Sequence, residues 1–121
     1  MRNKITIKDK FDSNSSFTIT LIIYALVNPV TNEIFYIGKT TRPLETRLDF
    51  HVVAARKEPG SIKKKNYILS LIKQNAYPII KPIHRIKCKT FDEFLATSDA
   101  EKRWIKYFST KTILVNSKNI K

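Results

Sequence analysis

The chain has 121 residues, a length that fits one domain, and 42% of its residues are hydrophobic, which is enough for a single packed core. No stretch approaches the roughly 18 consecutive apolar residues of a membrane helix, and the N-terminus lacks the apolar run of a secretory signal, so we expect a cytoplasmic or other intracellular protein. The single cysteine, Cys88, excludes an internal disulfide. Two glycines, Gly38 and Gly60, are too few for a glycine-rich phosphate loop.

Charge indicates the class of partner. Lysine and arginine number 23 against 10 acidic residues, and the net charge of +13 is spread along the whole chain. Such a field attracts polyanions and supplies contacts with phosphate that do not depend on base sequence. Nucleic acid is therefore the expected partner, and a membrane surface ranks lower because the chain has no basic amphipathic helix and no lipidation motif.

The first residues alternate between basic and polar types. We expect residues 1–17 to form a basic arm or linker, with a short strand at residues 5–8 and a loop at residues 12–16.

The next part of the sequence predicts a β-hairpin. Two β-rich runs, residues 17–27 and 34–37, flank a stretch of turn-forming residues and predict two antiparallel strands. A turn centred on Val30 would place Tyr24 opposite Tyr36.

Helical spacing then predicts two helices, at residues 43–57 and 64–75. An alternating run at residues 79–88 predicts a third strand, and Pro82 within it indicates an edge strand or a bulge.

Two capping boxes come next. Thr90 with Glu93 and Ser98 with Glu101 each match the helix-start pattern and predict two short helices, and a last apolar run covers residues 113–115.

The most specific local pattern is Ile22-Ile23-Tyr24, followed after eleven residues by Tyr36-Ile37-Gly38. At this point the chain resembles the GIY-YIG nuclease family. Members carry an arginine on the next helix, often a histidine one turn later, a metal-binding glutamate on a later helix and an asparagine some fifteen residues beyond it. The matching residues here are Arg47, His51, Glu101 and Asn116.

The resemblance covers roughly residues 20–116 and implies an α/β (α+β) fold, a small three-stranded antiparallel sheet flanked by helices, in a domain at residues 18–121. It also implies a DNA endonuclease of the homing, restriction or mobile-element type, which hydrolyses phosphodiester bonds with one Mg²⁺ or Mn²⁺ ion per site. The sequence leaves open whether the protein works at a nucleoid or in a phage or other mobile element.

Each matching residue type suits this chemistry. Glu101 would be the metal ligand, because a hard divalent ion accepts one carboxylate and completes its shell with water and substrate oxygens. Arg47 would bind the scissile phosphate, and His51, four residues on, lies on the same helix face. By resemblance, Tyr24 acts as general base or positions the attacking water, with Tyr36 beside it. A base role requires nearby cations to lower the pKa of Tyr24.

Further residues would support the site. Asn116 would hydrogen-bond within it and hold its shape. The following basic residues are expected to contact DNA: Lys39, Arg42, Lys63, Lys64 and Lys65.

Two features depart from the family pattern. Ile22 stands where the family name implies glycine, so packing beside the site is expected to differ, although the tyrosine is kept. No specificity module is recognisable after the catalytic residues, so a homodimer or a separate specificity module remains an open partner.

Alternative interpretations exist. Glu101 alone could simply complete a capping box, and His84 with Cys88 is interpreted as structural because no further soft-metal ligands accompany the pair. A catalytically inactive nucleic-acid-binding module of the same fold would keep the basic surface but would not need a carboxylate in it. A small ribosomal or structural RNA protein fits the composition but not the spacing of the six matching residues.

Overall fold

The computed structural model describes residues 5–57 and 62–116. The ends of the predicted arm and domain, residues 1–4 and 117–121, lie outside the described residues. Four helices and three strands form the described part, in the order α1 (Ile7–Ser13), β1 (Ile19–Val27), β2 (Ile34–Thr40), α2 (Leu44–Lys57), α3 (Ile62–Lys73), β3 (Ile79–Cys88) and α4 (Phe91–Ser109).

The three strands form one antiparallel sheet in the order β2-β1-β3, as predicted. Side chains of β1 alternate between the two faces of this central strand. Tyr24 and Leu26 enter a core with α2 and α3, whereas Ile23 and Ala25 enter a second core with α4. The sheet therefore lies between the α2/α3 pair and α4, and its central strand is the best buried element.

The predicted hairpin register was wrong by two residues, because Tyr24 pairs with Gly38 and Tyr36 pairs with Leu26. The Asn28 side chain accepts hydrogen bonds from two backbone N–H groups in the turn, and the Asn28 N–H donates to the Glu33 carbonyl, which closes a longer loop than one centred on Val30. An irregularity after Leu26 shifts the pairing further.

Pro82 has both of the predicted consequences. β3 is an edge strand, and its register against β1 shifts between Ile23, which pairs with His84, and Tyr24, which pairs with Pro82. Ile83 is the extra residue of β3, and it forms a bulge next to Pro82, which has no N–H group to donate a hydrogen bond.

The predicted strand at residues 5–8 was wrong, since residues 7–13 form a helix. Thr6 and Asp9 make a reciprocal capping box, which satisfies two backbone N–H groups at the start of α1. The Phe11 ring packs against Phe17, at 4.8 Å between centroids, and close to Phe94 of α4. Tertiary packing thus stabilises a helix that is too short to form alone.

The two helices predicted after Thr90 are one helix, α4, so the second capping box was a wrong interpretation. Thr90 and Glu93 cap the helix start as predicted. The Thr97 hydroxyl donates to the Phe94 carbonyl within the helix, and Ser98 faces Lys39. Ser98 therefore does not cap a helix, and the carboxylate of Glu101 has no capping role.

Candidate active site

The Tyr24 hydroxyl is the centre of a buried hydrogen-bond cluster. It lies 2.6 Å from Nε2 of His51, and the Nε–H group of Arg47 donates to it over 3.2 Å. The tyrosine comes from the central strand, while Arg47 and His51 are one turn apart on α2 and so reach the same point. The structure thus joins three of the six predicted catalytic residues directly.

Gly38 makes room for this arrangement. Gly38 pairs with Tyr24 across the β1/β2 ladder, and the Tyr24 ring packs directly against the backbone of Gly38. A Cβ atom at this position would come within 2.5 Å of Tyr24 Cζ and 2.9 Å of Tyr36 Cε2. The glycine is required by this close approach of two aromatic rings.

Tyr36 lies beside the cluster. Its ring centroid is 5.2 Å from that of His51 and 6.4 Å from that of Tyr24. The Nζ atom of Lys64 lies 4.9 Å from the centre of the same ring, a cation–π distance. Lys64, predicted as a DNA contact, therefore also packs on a predicted catalytic residue.

Burial controls the protonation of the cluster. It raises the pKa of Tyr24, and the hydrogen bond and charge of Arg47 offset only part of that effect. Burial, together with the charges of Lys64 and Arg47, lowers the pKa of His51 to about 3. The described residues therefore keep both groups neutral at pH 7, and they do not supply the lowered tyrosine pKa that a resting tyrosinate base would require.

Hydrogen-bond donors fix the proton positions. Because Arg47 donates to the Tyr24 oxygen, the tyrosine proton is directed towards Nε2 of His51, which places the imidazole proton on Nδ1. Nδ1 is buried and has no hydrogen-bond partner among the described residues. Tyr24 is therefore an acceptor for Arg47 and a donor to His51 at once.

Glu101 enters from α4, on the other side of the sheet. Burial raises the pKa of its carboxyl group, and the charges of Lys39, Arg47 and Lys102 lower it in part. Its own charge contributes to the raised pKa of both Tyr24 and Tyr36. Glu101 is half-buried and close enough to act electrostatically on the tyrosine cluster.

A single carboxylate fits one kind of metal site. In residues 5–57 and 62–116 no group of three or more His, Cys, Asp or Glu side chains is placed to hold an ion. Glu101 supplies one hard oxygen donor; burial raises the pKa of its carboxyl group, and the cations around it offset part of that effect. This donor set suits Mg²⁺ or Mn²⁺ that takes its remaining ligands from water and substrate phosphate.

Lys39 links the two sides of the sheet. Its Nζ group donates to the Ser98 hydroxyl over 2.7 Å, which ties β2 to α4. The bond thus ties Lys39 to the helix that carries Glu101, and the charge of Lys39 lowers the pKa of that carboxyl group in part. The capping-box interpretation missed this contact between Ser98 and Lys39.

Asn116 supports β2. Its side-chain amide donates to the Ile37 carbonyl over 2.7 Å and accepts from the Ile37 N–H at 3.2 Å, as a paired strand residue would. Both groups are buried. Asn116 therefore holds the strand between Tyr36 and Gly38, and its side chain makes no hydrogen bond to Tyr24, His51 or Arg47 in the described part of the chain.

The remaining predicted phosphate contacts lie outside the cluster. Arg42 and Lys63 are exposed, and Lys65 is partly exposed. Phe50 was missed by the sequence analysis: its ring lies 4.6 Å from the Arg47 guanidinium carbon, which steadies that side chain. The three-residue spacing from Arg47 on one helix was the available signal.

Ile22 is accommodated without disturbing the hydroxyl cluster. It is partly buried and packs at the rim of the core beneath α2 and α3, where it pairs with Thr40 and Arg85. Its neighbour Ile23 points to the opposite core. The isoleucine adds apolar contact and leaves the hydrogen bonds of Tyr24 in place.

Comparison with protein families shows where the chain belongs. The model of the GIY-YIG catalytic domain matches residues 21–113, which is most of the chain. The chain belongs to the GIY-YIG catalytic domain family. The resemblance and the fold predicted from the sequence are confirmed.

Family membership indicates a general class of activity. GIY-YIG domains are generally nucleases, and their substrate is DNA. Searches of curated proteins and of solved structures found no significant match. Within the described ranges, none of the helices has the length and apolar character needed to cross a bilayer.

Proposed function

We propose that this GIY-YIG protein is a DNA endonuclease that hydrolyses phosphodiester bonds with one divalent metal ion. The observation that carries the proposal is the position of the Tyr24 hydroxyl, between His51 and Arg47 and within the electrostatic reach of Glu101. A basic protein that only bound nucleic acid would gain nothing from a carboxylate among its cations.

Arg47 is suited to hold the scissile phosphate. Its Nε–H group is used by Tyr24, and its two terminal nitrogens have further N–H groups in the same plane. The contact with Phe50 limits the freedom of the guanidinium group. A phosphate bound by these nitrogens would place its phosphorus atom near the Tyr24 oxygen, where attack by water is to occur.

The hydrogen bonds define a route for the proton of the attacking water. The water gives its proton to the Tyr24 oxygen while Tyr24 passes its own proton to Nε2 of His51, so that no free tyrosinate is formed. The low pKa of His51 opposes this transfer in the free protein. The negative charge of bound DNA offsets the charges of Lys64 and Arg47 that contribute to the low value, and so favours the transfer.

A Mg²⁺ or Mn²⁺ ion bound through Glu101 would stabilise the charge that builds on the phosphate and on the leaving oxygen. Glu101 lies on α4, and electrostatic interactions couple its charge to Lys39, Arg47 and the two tyrosines. Because the protein provides one carboxylate, binding of the ion and binding of DNA are expected to reinforce each other. Chelation by EDTA should therefore stop cleavage.

The basic residues outside the cluster would position the DNA. Arg42, Lys63 and Lys65 carry charge at the surface, where contacts with phosphate weaken with salt. A single site of this kind cuts one strand. Cleavage of both strands would then need a second copy of the chain or a second binding event.

The experiment is nicking of supercoiled plasmid with Mg²⁺, Mn²⁺ or EDTA. We expect metal-dependent nicking by the wild type and a loss of about 10²–10⁴-fold for Tyr24→Phe, the range for removal of a group that transfers a proton. Glu101→Gln should lose metal-dependent activity and keep DNA binding. Circular dichroism confirms that each variant is folded.

Matched controls are available. Tyr77→Phe changes an exposed tyrosine away from the cluster, and Asp99→Asn changes an exposed carboxylate on the same helix as Glu101. Both should nick at the wild-type rate. Salt-sensitive binding without cleavage of supercoiled, branched and single-stranded DNA would instead support the alternative, an inactive binding module of the same fold.

A further inference from the structure

A second surface feature lies between α4 and β3, outside the nuclease cluster. It is a cavity of about 540 Å³, a size typical of small-ligand sites. Its lining combines three aromatic rings with one cation and one small residue: His84, Ala100, Arg103, Trp104 and Tyr107. The proposed cleavage reaction uses none of them.

The aromatic rings of this cavity are held in place. Nε1–H of Trp104 donates to Nδ1 of His84 over 3.3 Å, and the Trp104 ring stacks on Phe108 at 5.9 Å. Tyr107 meets Trp104 edge to face at 5.8 Å, yet 49% of its surface is exposed. The polar edge of the indole is thus satisfied within the protein, and apolar ring surface is left at the opening of the cavity.

Positive charge surrounds the opening. Arg103 lines the cavity, and Nζ of Lys111 lies 5.1 Å from the centre of the Tyr107 ring. A neighbouring cavity of about 400 Å³ shares His84 and Arg103 and adds Arg85 and Lys87. Fixed aromatic rings beside a row of cations are the combination that binds single-stranded nucleic acid, by stacking on bases and by pairing with phosphates.

One carboxylate borders the second cavity, but it is engaged elsewhere. Glu93 accepts hydrogen bonds from the backbone N–H groups of Lys89 and Thr90, at 2.6 and 3.2 Å. Its charge is used to cap α4. Among the residues that line the two cavities, the cations Arg85, Lys87 and Arg103 outnumber this one carboxylate.

We propose that the cavity of His84, Arg103, Trp104 and Tyr107 binds an unpaired base of single-stranded DNA, while the adjoining phosphates lie against Arg85, Lys87 and Arg103. Bases in an intact duplex are stacked and paired, so their faces cannot enter such a cavity unless they are flipped out. An unpaired base can enter without that cost. The occupant is thus a single-stranded segment and not a continuous duplex.

The position of the cavity relates it to cleavage, and this step rests on the proposed nuclease function. Glu101 and Trp104 are three residues apart on α4, which is about 4.5 Å along the helix axis. Both residues lie on α4, so a base in the cavity would be bound on the same helix that carries the proposed metal ligand. If DNA is cut at that site, the substrate would carry a single-stranded segment close to the bond that is cut.

Trp104 provides a direct measurement, because it is the only tryptophan in the chain. Its emission is recorded in EDTA, so that no cleavage is needed, during titration with an oligo-dT strand. An abasic strand of equal length and charge carries the same phosphates without bases. We expect oligo-dT to quench the emission and the abasic strand to leave it unchanged at the same salt concentration.

Two equally exposed tyrosines give a matched pair of variants, since Tyr107 and Tyr77 are both 49% exposed. Tyr107→Ala should weaken binding of oligo-dT by about fivefold or more, the effect of losing one base-stacking contact, and Tyr77→Ala should leave it unchanged. Equal quenching by the abasic strand, or equal affinities of the two variants, would overturn the proposal. If oligo-dT quenches the emission of a protein that cuts no DNA, the base-binding cavity is supported and the nuclease proposal fails. If the protein nicks DNA but oligo-dT does not quench its emission, the nuclease proposal is supported and the base-binding cavity is overturned.

Discussion

The Tyr24 hydroxyl lies 2.6 Å from Nε2 of His51, and both side chains are buried. The two residues are 27 positions apart in the chain. Burial favours the neutral form of each, so their hydrogen bond joins a phenol to a neutral imidazole. Arg47 adds the only charge bonded directly to this pair among the described residues, which makes the pair sensitive to any anion that approaches Arg47.

Stability should depend on pH through His51. The unfolded chain binds a proton at this residue near pH 6.5, whereas the folded protein does so only near pH 3. The unfolded state therefore holds more protons between these values, and the contribution of His51 to the free energy of unfolding is complete above pH 6.5 and is lost as the pH falls. This contribution to the free energy of unfolding cannot change by more than about 1.4 kcal/mol per pH unit. Urea unfolding from pH 7 to pH 5 measures it.

His51→Gln should flatten this pH dependence, because glutamine does not titrate. Asn66→Gln, at an exposed position without a titrating group, is the control and should keep the wild-type slope. A histidine ring resonance that titrates near pH 6.5 in the folded protein and disappears in His51→Gln would contradict the expectation.

Glu101→Gln should make the protein more stable at pH 7 while it removes activity. Burial raises the pKa of the Glu101 carboxyl above 4.5, so the folded state holds this proton more tightly than the unfolded state does. The resulting contribution to the free energy of unfolding falls as the pH rises through 4.5, because the buried group must then ionise. Glutamine avoids that charge. Thermal unfolding at pH 7 and pH 4 checks the sign, and an unchanged or lower Tm at pH 7 would refute it.

Gly38→Ala should destabilise the protein by about 1–3 kcal/mol, the usual cost of overpacking. The added Cβ atom would overlap the ring of Tyr24, which is fully buried and cannot move aside. Activity should fall with stability because the hydroxyl is displaced from His51.

The same substitution made in a Tyr24→Leu background distinguishes a clash with the ring from a general effect on the strand. Removal of the Tyr24 ring should make Gly38→Ala less costly and leave only the 2.9 Å approach to Tyr36 Cε2, so the two changes should not be additive. Additive free energies of unfolding would mean that the clash lies elsewhere.

Asn116→Ala should destabilise the sheet edge by about 1–3 kcal/mol for each backbone group left without a partner. The substitution leaves the buried N–H and carbonyl groups of Ile37 unpaired. Hydrogen exchange at the Ile37 amide should accelerate, and Asn66→Ala, at an exposed position, serves as the control. Unchanged exchange would show that another group replaces the asparagine.

Much of the fold follows from local patterns. Alternation of apolar residues marks β1 and β3, helical spacing marks α2 and α3, and Thr90 with Glu93 marks the start of α4. Each of these signals depends on neighbours within a few residues, so the sequence expresses it directly. The shape of α1 was missed because a helix of seven residues depends on the distant aromatic rings against which Phe11 packs.

The candidate site, too, was predicted only in part from local patterns. The order of residue types, through its resemblance to the GIY-YIG pattern, made candidates of the following residues: Tyr24, Tyr36, Arg47, His51, Glu101 and Asn116. Ser98 and Phe50 were missed, and the capping role considered for Glu101 was wrong, because the partners of these residues come from contacts that local spacing does not contain.

Residue patterns along the chain specify a small basic domain of three strands and several helices and carry the motif of the GIY-YIG family. Folding adds what these patterns do not contain: Tyr24 opposes Gly38, its hydroxyl contacts His51, and burial raises the pKa of the tyrosine. The physical reason is that register, contact and burial depend on groups far apart in the chain. The free energy of one hydrogen bond or one buried ring is set by the environment which the folded chain builds around it.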